Sequence, residues 1–214
     1  SMMITKESGD ALRAAAASGT VSVQMEFSRD LDRDGTLDNA IIAHEWGHYL
    51  SNRLIGNGSG LSSHQARSLG EGWSDFVALL MTVRQEDQNH PANANWSGAY
   101  GVAGYTQSGG ANQGYYWGIR RVPYSTDLTR NGLMLRHMAF GAAHSGYPVA
   151  FGQDGASNSM LHNTGEVWAT MLWESYASLL RAHPFQEAQD RMKRYLVAAY
   201  KATPVMPTFL EARD

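Results

Sequence analysis

His44-Glu45-Trp46-Gly47-His48 is the stretch on which the reading of this sequence turns. On an α-helix, residues four apart are rotated by about 400° and lie about 6 Å apart along the axis, so His44 and His48 share one face. Both imidazoles can then bind a single zinc ion in its tetrahedral shell. Glu45, next to the first imidazole, can reach a water at the metal without being a ligand itself. Two surface histidines flanking a glutamate make the same five-residue HExxH pattern, so a further ligand has to be found.

A catalytic zinc takes a third protein ligand and keeps one position open. Glu71-Gly72-Trp73-Ser74-Asp75 supplies a ligand and a support for it. On a helix Asp75 lies one turn from Glu71 on the same face. Glu71 can bind the metal while Asp75 accepts a hydrogen bond from a ligating imidazole. An exposed acidic helix face is the plainer reading of the same residues, and the motif just upstream weighs against it.

Outward from these motifs the chain reads as mainly α (α+β). Helices are expected over about 40–54, capped by Asp38 or Asn39 and stopped by Gly56-Asn57-Gly58-Ser59-Gly60, and over about 63–84. Two more are expected at 165–182 and 185–203, ended by Pro204 and Pro207, and a shorter one at 133–143. Val21 to Phe27 alternates apolar and polar residues, a half-buried strand signature. Residues 1–20 are Ala-rich without a pattern. Residues 87–118, rich in Asn, Gly, Ser and Tyr, read as a long surface loop with short strands.

The composition excludes several classes. With 214 residues the chain can bury a real core, and 43% hydrophobic with 17% charged content is globular. A net charge of -3 without a dense Lys/Arg cluster gives no reason to expect nucleic acid as a partner. The absence of cysteine removes disulfides, thiolate zinc sites and a cysteine nucleophile. No apolar run approaches a membrane span of ~20 residues. Ser1-Met2 reads as a scar of tag removal, and the chain as an excised piece whose export signal, if any, lay upstream.

His44 to His48, followed after 22 residues by Glu71 in GEGWSD, resembles the gluzincins. The blocks DGTLDNAIIAHEWGHYLSNRL, GEGWSDF, GIRRVPYST and LHNTGEVWATMLWE span most of residues 34–174 and resemble the fungalysin family. The resemblance implies a zincin-like catalytic domain over 1–214, with a C-terminal helical lobe. In it 1–38 leads into the site as strand and acidic loop, 39–214 forms the helical zinc-binding part, and the N-terminal β part of relatives is largely absent. It implies a secreted, broad-specificity endopeptidase that acts on protein substrates and is made with an inhibitory propeptide. Residue by residue it makes His44, His48 and Glu71 the zinc ligands, Glu45 the general base and Asp75 the partner behind an imidazole. His162 is similar to the histidine with which thermolysin-like enzymes stabilise the tetrahedral intermediate; read alone, it is equally a structural hydrogen-bonder. Arg120 resembles an arginine that grips a substrate carbonyl, with Arg121 the alternative and a surface salt bridge the plainer reading. Tyr124 is an oxyanion donor or a core tyrosine.

Two readings stand beside the peptidase: a zinc-bearing module without activity, and a hydrolase of non-peptide amides or esters. The acidic loop also stays open. Asp30, Asp32, Asp34, Gly35 and Asp38 follow the start of a Ca2+ loop, but Ile41 stands where the bidentate glutamate belongs. The same carboxylates suit a solvated turn at a helix N-terminus.

Overall fold

The computed structural model describes residues 6–22, 33–107, 114–143 and 158–214. The chain divides into two units, Ser1–Asp32 and Arg33–Asp214. In the first, α1 runs over Lys6–Ser18 and is exposed from Asp10 onward. Its alanines favour helix intrinsically, without an apolar stripe to bury. Val21 and Ser22 carry no regular structure, and the remainder of the expected strand lies outside the described residues.

The second unit is built on α2 (Asn39–Leu54) and α3 (His64–Thr82). Asp38 starts α2 by accepting from the Ala40 N–H at 2.9 Å. The left-handed backbone of Gly56, Asn57 and Gly58 prevents its continuation. Ser63 caps α3, which is buried from Leu69 to Leu80 apart from Glu71 and ends two residues short of the expected Arg84. Among its described residues the stretch after α3 contains 3₁₀ segments at Gln85–Asn89 and Pro91–Trp96 and two single α-turns, α4 (Gly104–Gln107) and α5 (Gly114–Trp117). Among the described residues no strand forms there; Tyr100 and Tyr124 make one isolated antiparallel bridge. The helix expected over 133–143 is reduced to a 3₁₀ turn at Leu135–Met138, and Gly141 at φ 79° leaves helical space. Then follow α6 (Leu161–Ala182), α7 (Phe185–Ala202) and α8 (Phe209–Arg213). Among the described residues no helix is long and apolar enough to cross a membrane.

The core lies where α3 runs between α2 and α6, and its contacts are largely aromatic. Trp73 meets Trp168 and Tyr200 edge-on at 5.7 and 5.2 Å, and Phe76 meets Tyr176 at 6.1 Å. Glycines set the approach of the helices. A Cβ on Gly47 would lie 2.6 Å from Ser74 Cα, so α2 crosses α3 nearly backbone to backbone. A Cβ on Gly165 would lie 2.7 Å from Ser68 O and 2.8 Å from both Glu71 Cβ and Gly72 N. Gly165→Ala should therefore splay α6 from α3 and cost about 1–3 kcal/mol of stability, the range for overpacking a filled site. Denaturant melting checks this, and unchanged stability would show that the crossing tolerates a methyl group.

Candidate metal centre

Those crossings bring the sequence motifs together. His44 and His48 project one turn apart from α2, with ring centroids 4.8 Å apart and planes at 82°. Glu71 faces them from α3, and its Oε2 lies 3.4 Å from Nε2 of each imidazole. The ligand atoms of all three residues lie within 4.8 Å of one another. His162, on the first turn of α6, brings its Nε2 to 3.4 Å from the same Oε2 but stands outside that mutual group.

Glu71 Oε2 is buried and accepts no hydrogen bond from the described residues, although three imidazoles surround it. A buried carboxylate oxygen left unpaired is costly. The spacing explains it: ligand atoms at about 2.05 Å from a tetrahedral ion lie about 3.3–3.4 Å from one another. The donor set of two nitrogens and one carboxylate, at that spacing, fits a single metal ion. Burial opposes ionisation of Glu71, but the imidazoles of His44, His48 and His162 hold its carboxyl below the usual carboxylate range.

Behind this group lies a fully used carboxylate. Asp75 Oδ1 accepts from His44 Nδ1 at 2.7 Å, which leaves His44 Nε2 turned to Glu71. Arg120 donates from Nε to Oδ2 at 2.6 Å and from Nη2 to Oδ1 at 2.7 Å. The Tyr124 hydroxyl donates to Oδ2. Burial works against charge on Asp75, yet Arg120 and His44 keep it well below the usual range. Burial also disfavours a charged His44, but its hydrogen bond to Asp75 and the Glu71 carboxylate raise it from 6.5 to about 9. Asp75→Asn should lower metal affinity by about 10–100-fold through loss of imidazole orientation. A chelator competition titration measures it, and wild-type affinity would deny Asp75 that role.

Arg120 is a buried partner of Asp75 rather than an exposed substrate contact or a surface salt bridge, and Tyr124 takes the core-tyrosine alternative of its two readings. Both are buried and turned onto Asp75, so neither is presented as a substrate contact. Burial raises the Tyr124 hydroxyl well above its ordinary value, with the Asp75 charge adding to it. Glu45 and His162 are exposed, with His162 at 46% beside the ligands. Of the acidic loop, Asp30 and Asp32 lie outside the described residues. Asp34 accepts from Thr36 N at 2.9 Å, and Asp38 caps α2 and also accepts from Thr106 N at 3.0 Å. These are capping contacts, and they give the Ca2+ reading no support.

A helix carrying two imidazoles, crossed by a helix carrying a carboxylate that faces them and an aspartate behind, makes a group that could hold a metal ion, as a metallopeptidase would. The match to known proteins narrows the class. Residues 14–214 match the model of the fungalysin metallopeptidase (M36) family, and the chain belongs to that family. It is similar to the extracellular metalloproteinase MEP of Pyricularia oryzae, 30% identical over 199 residues that make up 85% of this chain and 27% of that protein. Extracellular metalloproteinase 4 of Arthroderma otae is 30% identical over 200 residues, 85% of this chain and 26% of that protein. Extracellular metalloproteinase 2 of Trichophyton tonsurans is 28% identical over 198 residues, 85% and 27% of the two chains. The chain thus spans about a quarter of the length of these curated relatives.

Proposed function

We propose that this chain is the metal-binding part of a secreted zinc endopeptidase that hydrolyses peptide bonds in protein substrates. The observation that carries the reading is the buried, unpaired Glu71 Oε2, set 3.4 Å from the His44 and His48 nitrogens. His44, His48 and Glu71 would hold zinc, and Asp75 keeps the His44 ring turned toward it. When bound, zinc supplies Lewis acidity that polarises the scissile carbonyl and acidifies water beside it. Glu45, exposed next to His44, takes the proton of the attacking water and passes it to the departing amine. The C–O bond forms first and turns the carbonyl oxygen into an oxyanion. The C–N bond breaks as that tetrahedral species collapses onto the protonated amine, and no side chain becomes attached to substrate. Secretion is supported by the relatives, which are named extracellular metalloproteinases. An inhibitory propeptide in the precursor follows from the family resemblance.

His162 acts in this scheme by donating to the oxyanion. His162→Ala should lower kcat by about 10²–10³ with KM little changed, because the interaction is made only in the transition state. Zinc content and Tm should hold. A lower Tm with unchanged kcat per folded molecule would make it a structural histidine. The function itself is tested by casein cleavage with the zinc-loaded protein. Stoichiometric zinc without any peptide-bond scission would favour the inert zinc module.

A further inference from the structure

Arg121 and Glu166 form a buried ion pair that the mechanism above does not use. Arg121 donates to Glu166 from Nε at 2.7 Å and from its backbone N–H at 2.8 Å. Its other arms reach Asn158 Oδ1 from Nη1 at 2.5 Å and the Asn163 carbonyl from Nη2 at 2.6 Å. Asn158 in turn donates to the carbonyls of Ala139 and Ala142 at 3.0 and 2.6 Å, and its own carbonyl accepts from Thr164 Oγ1 at 2.8 Å.

These bonds converge on the start of α6, which has Met160 at its N-cap position and no side-chain cap. The clasp holds this turn by its Asn163 carbonyl and Thr164 hydroxyl rather than by capping its N–H groups, and His162 is on the turn it holds. The neighbouring Arg120 goes the other way, to Asp75 on α3. Two consecutive arginines thus tie the helix that carries Glu71 and the helix that carries His162 to one loop. Stability alone does not explain the choice, since well-packed apolar residues of similar volume hold as firmly as a buried ion pair, or more so. What a forked guanidinium adds is direction.

We propose that Arg121, braced by Glu166, is a positioning residue that sets where His162 stands relative to Glu71. The inference rests on the peptidase reading of His162. The probe is a peptidyl phosphonamidate, whose tetrahedral anionic centre mimics the transition state. Its affinity for the zinc-loaded protein is measured by calorimetry for Arg121→Lys, Arg121→Met and Glu166→Gln, each alone and combined with His162→Ala. Amide hydrogen exchange is followed on the same samples.

Each single variant should bind the phosphonamidate about 10–100-fold more weakly, the range for residues that orient a site's contacting groups. On the His162→Ala background the same change should add less than about twofold, because its effect passes through that imidazole. Exchange should quicken at the amides of 164–167 and stay unchanged in α3, with one zinc per chain throughout. A full further loss on the His162→Ala background would overturn the inference and make the clasp a general structural element. So would unchanged affinity in all three single variants. If His162→Ala alone leaves phosphonamidate affinity intact, the reading of His162 fails first and the inference falls with it. Should Arg121→Met not fold, Arg121→Lys and Glu166→Gln decide by the same criteria.

Discussion

The His44→Ala, His48→Ala double variant is expected to lose its metal outright, from one ion per chain to none retained through dialysis against a chelator. Both changes remove nitrogen ligands from α2 and leave Glu71 as the single carboxylate of the group. One carboxylate is a poor zinc site beside the three protein ligands that such ions take. The loss extends to Glu71 itself. With both rings gone, Oε2 keeps His162 alone of its three imidazole neighbours, so burial would push its carboxyl upward from its depressed position. Atomic absorption on the washed protein checks the outcome. Stoichiometric zinc in this variant would place the ion somewhere else.

Glu45→Gln is expected to separate metal binding from chemistry. The side chain is exposed on α2 and outside the ligand group, so the amide should leave zinc content and Tm unchanged. Turnover of a peptide substrate should fall by about 10²–10⁴, the contribution of a positioned general base. Glu71→Gln should do the reverse and weaken zinc first. Near-normal turnover by Glu45→Gln at full zinc content would remove the proton-transfer scheme.

The helices that carry the site were legible because their signals are local. The cap at Asp38, the glycines at 56 and 58 and the 3.6-residue spacing of Phe76, Leu79 and Leu80 each act within a few residues of the boundary they set. Likewise, the metal group needed only helical periodicity within the two motifs and the expectation that they face each other. What was not legible was tertiary. The resemblance put Arg120 at the substrate and left Tyr124 between oxyanion donor and core tyrosine, because a polar side chain in sequence shows no burial; the structure turns both onto Asp75. A signal was nonetheless present: Arg120-Arg121 between Ile119 and Val122, and Glu166 just before the apolar run Val167-Trp168-Ala169, are charges where a core is forming. Such charges are rarely buried unless paired. The helix α1 escaped for the opposite reason, since alanine propensity leaves no periodic pattern. The Leu133–Ala143 expectation overestimated apolar content as a helix signal, because that segment is held as a loop against α6 through Asn158.

The most direct test of the metal centre is zinc-edge X-ray absorption on the chelator-stripped chain reloaded with one equivalent of zinc. The expected first shell is two imidazole nitrogens and one carboxylate oxygen at ~2.0–2.2 Å, with the remaining scatterer a light atom from solvent. A first shell containing three imidazoles would make His162 a ligand and contradict the assignment. So would a six-coordinate all-oxygen shell, which would put the ion away from His44 and His48.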